Sequence, residues 1–184
     1  MSGMTMESFE LLRMAVREAA RDAWTDLRSA HPGDTFYYYG LWTTQHAHSP
    51  VPTASSFEGL KRSLAEHREN GLELNPADLR WSENDSPYDL YGDEHFLGVE
   101  RLFEEFGNPF DRERDVRNAL LETVIGALAD LDDDRFFGSG AERESVVINV
   151  TFPGRNTPAS VLGVARRLNP PAALERYERD WLAR

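Results

Sequence analysis

The chain has 184 residues, a length suited to one domain that buries roughly 70% of the surface its unfolded form exposes. It contains no cysteine, which excludes disulfides, Cys-ligated zinc, iron–sulfur clusters and thiolate nucleophiles. Its 32 acidic and 20 basic side chains give a formal charge of -12, which disfavours nucleic-acid phosphates and anionic lipid and makes a basic protein partner electrostatically easier; the alternative is that the charge simply keeps the protein soluble.

Met1 to Met6 show no basic cluster followed by an apolar run, and no stretch approaches the roughly 20 apolar residues that span a bilayer. The expected location is the cytoplasm, with no membrane partner. The first predicted element is an amphipathic helix, because Phe9, Leu12, Val16, Ala19, Ala20, Ala23 and Leu27 recur at three- and four-residue steps. His31-Pro32-Gly33-Asp34 breaks it. The aromatic run Thr35 to Thr43 follows as a strand, since aromatic and β-branched side chains suit a pleated surface. Strict alternation places Phe36, Tyr38 and Trp42 on one face and Tyr37, Tyr39 and Leu41 on the other, so the strand is expected to be central and covered on both sides. Gly40 within it marks a bulge or a close approach.

A loop with Pro50 and Pro52 leads to Ser55 and Glu58, whose spacing suits a capping box opening a helix with Phe57, Leu60 and Leu64 inward. Asn70-Gly71 ends that helix. A short strand is expected around Leu79 to Ser82, then an ordered loop. Asp93 caps the next helix, which buries Phe96, Val99, Leu102, Phe103 and Phe106 and stops at Gly107-Asn108-Pro109. Asp111 starts another, with Val116, Leu120, Val124, Ala127, Leu128 and Leu131 inward. Its end at Asp132-Asp133-Asp134 is expected to fray, because the helix dipole disfavours negative charge there. Ser145 to Phe152 reads as a second clear strand. Thr157 and Pro158 start a helix through Leu168, and Asn169-Pro170-Pro171 separates it from a last helix bearing Leu174, Tyr177 and Trp181. The expectation for residues 1–184 is a single α+β domain, with a small mixed or antiparallel sheet of about three to four strands packed with about six helices.

Catalytic and metal motifs are weak. Asp130-x-Asp132-x-Asp134 imitates the opening of a calcium loop, but Arg135 stands where the turn glycine belongs and Ala141 where the bidentate glutamate belongs. His46-x-His48 lies among Gln, Ser and Pro and reads as exposed loop histidines rather than a metal pair. Gly138-Ser139-Gly140 is neither a nucleophile elbow nor a phosphate loop. No cofactor and no metal is expected. The remaining cluster is Trp81, Ser82, Asp85 and Tyr88. Together with Tyr39 these form the candidate ligand- or partner-binding residues, because loop aromatics beside an acid commonly line a binding surface. The alternative is that Trp81 and Tyr88 anchor the loop into the core.

Several of these residues carry a family resemblance. Phe36 to Leu41 with Thr43, Pro52-Thr53-Ala54 before Glu58-Gly59-Leu60, Trp81-Ser82 with Asp85 and Pro87-Tyr88, Phe96, and Leu168-Asn169-Pro170 together resemble the bacterial domain-of-unknown-function family 4303. The likeness covers nearly the whole chain. It departs at Ser86, where a second large aromatic is expected. The resemblance implies a compact bacterial α+β domain and supplies no activity, cofactor or catalytic residue. The function expected is a non-enzymatic, immunity-like interaction domain binding a basic protein through an acidic surface. The alternative is a small-molecule-binding domain or enzyme with an aromatic and acidic pocket, formed where Tyr39, Trp81, Asp85 and Tyr88 converge.

Overall fold

The computed structural model describes residues 5–153 and 157–183. The apolar stripe read from the sequence forms α1 (Met6–Ala30), which opens with the Thr5 side chain accepting from the Ser8 N–H. The aromatic run forms β1 (Phe36–Trp42). β1 lies at the centre of a three-stranded sheet of order β2-β1-β3, antiparallel to β2 (Val51–Ser56) and parallel to β3 (Val147–Thr151). The remaining helices are α2 (Phe57–Glu69), α3 (Pro76–Arg80), α4 (Leu97–Glu104), α5 (Arg114–Asp133), α6 (Ala141–Glu144), α7 (Pro158–Leu168) and α8 (Pro171–Leu182). Short 3-10 turns at Asp93–Phe96 and Pro109–Asp111 precede α4 and α5. The chain is thus an α+β domain with one mixed sheet.

Helices cover the sheet on both faces. Leu12, Val16, Ala20 and Trp24 of α1, Val99 and Phe103 of α4, and Leu120, Val124 and Leu128 of α5 pack with Tyr39 and Leu41 on one side. Leu60 of α2, Leu79 of α3, Val161 and Leu162 of α7, and Leu174, Tyr177 and Trp181 of α8 pack with Tyr37 and Tyr38 on the other.

Tyr37 and Tyr38 share a face because the pairing of β1 with β2 shifts register between Phe36 and Tyr38. An extra residue in one strand breaks the two-residue period, so strict alternation misplaces everything before the irregularity. Phe36, Tyr39 and Leu41 therefore lie on the α1 side. Gly40 is the site of close approach rather than of the bulge: an added Cβ would sit 2.6 Å from the Tyr38 hydroxyl oxygen.

Other boundaries move for identifiable reasons. The segment 51–56, read as a loop because of Pro52, is the edge strand β2, where a missing N–H is tolerated. Ser55 still pairs with Tyr38, so Ser56 is the cap of α2 and its hydroxyl accepts from the Gly59 N–H at 2.8 Å. Glu58 does not close a capping box; it accepts from the Thr35 N–H at 2.7 Å. Phe57 is exposed, with its ring 4.7 Å from Tyr37. The strand expected at Leu79 to Ser82 is the end of α3 and the turn after it, because Asn75 caps a helix whose first residue is Pro76. Gly92, not Asp93, precedes the turn into α4; its φ is 79°, and an added Cβ would lie 2.7 Å from Ala23 Cβ, so the glycine lets this turn close on α1. α5 starts at Arg114 rather than Asp111 and extends through Asp133. Its acidic end is offset by arginines: Arg13 binds Asp130 at 2.5 Å, Arg143 binds Asp132, and Arg17 and Arg21 bind Asp134.

Both outer edges of the sheet are engaged. Along β2, the Leu90 N–H donates to the Pro52 carbonyl at 3.0 Å, and the Ser86 hydroxyl donates to the Ala54 carbonyl. Along β3, the Asn169 side chain accepts from the Ile148 N–H at 2.8 Å and donates to the Ile148 carbonyl at 2.6 Å. Among the described residues no helix is long and apolar enough to cross a membrane.

Candidate functional site

The sheet divides the candidate residues. Tyr39 packs on the α1 side, 5.2 Å from Trp24 and 5.5 Å from Phe137, and its hydroxyl accepts from Arg28 at 2.8 Å. Trp81 lies on the opposite side, edge-on to Tyr37 and to Tyr177 at 5.4 and 4.7 Å, and its indole N–H donates to Asp180 at 2.8 Å. Burial raises the Asp180 carboxyl, but the bonds from Trp81 and Arg80 outweigh it and hold the group below its usual range. Tyr88 is buried with the α1-side cluster. The four residues therefore do not converge on one pocket, and Trp81 and Tyr88 anchor their segment into two separate cores.

Ser82 and Asp85 are bound to each other: the Ser82 hydroxyl donates to Asp85 at 2.9 Å and accepts from the Asp85 N–H at 3.2 Å. Trp81, Ser82 and Asp85 do share a groove of about 640 Å³ with Asp78, Leu79, Glu83 and Trp181. Asp78 and Glu83 already have partners, and the groove is bounded by Pro153 and Pro158, which flank residues outside the described set. Ser86 has a structural explanation. It is buried, its oxygen 3.2 Å from the Ser55 hydroxyl and bonded to the edge of β2, bonds that an aromatic ring lacking a hydroxyl there would not make.

Tyr88 instead completes a polar hub that sequence reasoning missed. Asp34, at the turn between α1 and β1, has a side chain 9% exposed. It accepts hydrogen bonds from the Ser56 hydroxyl at 2.6 Å, from the Tyr88 hydroxyl, and from Arg62 at 3.0 Å. Burial pushes this carboxyl up, but Arg62, Ser56 and Tyr88 together hold it well below the usual carboxylate range. The hub ties the turn before β1 to the start of α2 and to the loop after α3. Every Asp34 bond runs to a residue of the scaffold, so its geometry describes a fastening.

A second groove, of about 630 Å³, lies between the turn after β1 and α4. Its apolar wall is Pro50, Val51, Phe96, Leu97, Phe103 and Pro109, and its rim carries Asp93, Glu100 and Glu104. Leu97 is 56% exposed and Phe110, next to Pro109, is 66% exposed. The end of the groove is held by Arg112. Its guanidinium is buried without a carboxylate and donates instead to the carbonyls of Phe103, Phe106, Gly107 and Ala47. Three of these carbonyls lie at or just beyond the end of α4, where backbone acceptors lack helical partners, so one side chain closes the helix and fixes the turn facing it.

His46 and His48 stand beside this groove, their rings 4.9 and 5.4 Å from Phe110. Both are half-buried rather than exposed. Burial, with the nearby Arg112 and His46, lowers the His48 pKa and keeps that ring neutral near pH 7. Among the described residues no group of three or more His, Asp or Glu side chains is arranged to hold a metal ion. The groove escapes sequence reading because its walls come from residues 48–51 and 93–112, each unremarkable alone. The available signal is Leu97, which falls outside the buried stripe of Phe96, Val99 and Phe103.

A family model described as "Domain of unknown function (DUF4303)" matches residues 16–170. No curated protein and no solved structure matches the chain.

Proposed function

The chain belongs to the DUF4303 family, and from that membership, which assigns no activity, we propose that it is an interaction domain that binds a basic protein partner through an acidic surface. The observation that carries this reading is the way the acids are distributed. Several carboxylates elsewhere are engaged by arginines: Asp34, Glu122, Asp130, Asp132, Asp134, Glu178 and Asp180 each pair with at least one. Along residues 93–115, eight carboxylates meet three arginines. In that segment Arg112 is spent on carbonyls, and Asp93, Glu100 and Glu104 have no ion-pair partner among the described residues. Unpaired charge of one sign concentrated on one part of a surface speeds and orients encounter with the opposite sign.

This reading places the protein in the bacterial cytoplasm. An immunity-like role, holding a basic toxin, extends it by analogy among small acidic domains. The small-molecule reading loses its main support because the sheet separates Tyr39 from Trp81.

Cross-linking in the native cell followed by purification of the complex tests the proposal. The expected result is a basic protein whose association rate with the purified chain falls steeply with salt. Finding no protein partner, while the purified chain turns over a small molecule, would overturn it.

A further inference from the structure

Resting on that reading, we infer that the partner docks in the groove between the turn after β1 and α4, and that it inserts an apolar side chain flanked by lysines or arginines. The groove offers an apolar wall in Pro50, Val51, Phe96 and Phe103, large enough at about 630 Å³ for a bulky aliphatic or aromatic side chain. Leu97 and Phe110 stay exposed beside it although the fold buries their neighbours Phe96 and Phe103. Large apolar side chains left at the mouth of a cleft mark a surface that another molecule covers.

Charge complementarity decides the occupant. Leu97, Glu100 and Glu104 follow one another at three- and four-residue steps, so they lie along one face of α4, and Asp93 joins them at the rim. These carboxylates are exposed, and among the described residues they have no salt bridge or side-chain hydrogen bond. An acidic or neutral apolar segment would leave their repulsion uncompensated, whereas a cation on either side of an apolar anchor satisfies both rim and wall. The alternative groove at Trp81 lacks this combination, since Asp78 and Glu83 are engaged within the fold and Asp85 takes the Ser82 hydroxyl.

The support behind the groove is rigid. Arg112 holds the turn at Ala47 to the end of α4 at Phe103 and Gly107, so the two walls keep their separation without a partner. A site that needs no reorganisation loses less free energy on binding.

The test is selection of a random-peptide phage library on the whole chain, followed by titration of the synthetic winners. The expected winners carry lysine or arginine beside leucine, isoleucine or phenylalanine. They shift the backbone amide resonances of Leu97, Glu100 and Phe103 in saturable fashion. The double variant Glu100→Lys, Glu104→Lys keeps the fold, because both side chains are exposed, and weakens these peptides about tenfold. If basic peptides win but bind the double variant unchanged and shift other residues, the groove is refuted and the interaction reading stands. If acidic or neutral peptides bind in the groove, the charge argument is refuted. If no peptide class is enriched, docking of an anchored segment in the groove is refuted, and the interaction reading is decided by the cross-linking alone.

Discussion

Replacing Gly40 with alanine sets two arguments directly against each other. Propensity favours the change, because a glycine inside a strand costs about 0.5–1 kcal/mol relative to alanine. Packing opposes it. The new Cβ would meet the Tyr38 hydroxyl oxygen at 2.6 Å, Cζ at 2.9 Å and Cε1 at 3.0 Å. The ring cannot easily retreat, since Tyr38 is 1% exposed with Trp81 at 6.0 Å and Tyr177 at 6.4 Å from its centroid. Forcing an extra methyl into such a core costs about 1–3 kcal/mol. The net expectation is a loss of about 1–2 kcal/mol, or roughly 2–4 °C in Tm for each kcal/mol in a chain of this size. Urea unfolding read by tryptophan fluorescence measures it as a lower midpoint at unchanged slope. The same substitution in a Tyr38→Phe background should cost less, because the closest of the three contacts is gone. A Gly40→Ala chain as stable as the parent, or costs that add without coupling, would refute the packing argument.

Two further perturbations test the other joints of the fold. Asp34→Asn removes the charge that Arg62, Ser56 and Tyr88 surround, and is expected to destabilise the chain by roughly 2–4 kcal/mol. The Asp34 pKa is depressed in the fold, so its contribution is present above its ordinary value of 3.8 and disappears as pH falls below that. Urea midpoints between pH 5 and pH 2 should therefore fall more steeply for the parent than for Asp34→Asn; parallel curves would contradict the assignment. Asn169→Ala leaves the Ile148 N–H and carbonyl without their side-chain partners and is expected to cost about 2–3 kcal/mol. Amide exchange at Ile148 should accelerate in step, and unchanged protection there would count against the role given to Asn169.

The elements legible in the sequence are those whose cause is local. The α1 stripe, the aromatic β1, and the Thr157-Pro158 start of α7 each follow from spacing or capping within a few residues. α6 is only four residues long and has no side-chain cap to announce it. The register shift before Tyr38 depends on pairing with β2, so no periodicity within β1 reveals it. β2 itself was hidden because proline is unfavourable in a strand unless that strand lies at an edge, a fact about the assembled sheet. The candidate site suffered in the same way. Trp81 and Tyr88 are seven residues apart and look like one surface, yet they anchor in cores on opposite sides of the sheet. Whether an acid is free or paired is likewise a tertiary fact: Asp134 meets Arg17 and Arg21 across more than a hundred residues, while Glu100 meets no arginine among the described residues.

The fastening of Ile148 by Asn169, and of Pro52 and Ala54 by the segment before Leu90, bears on how this protein can be recognised at all. Another chain gains main-chain affinity by extending a sheet only where a strand offers free N–H and carbonyl groups. Here several of those groups are already occupied on both flanks, so the interaction proposed above would pass through side chains. A code written in side chains at the surface can be changed one residue at a time, and such changes leave the ladder beneath intact. The specificity of an interaction of the kind proposed could therefore diverge quickly while the fold stays the same.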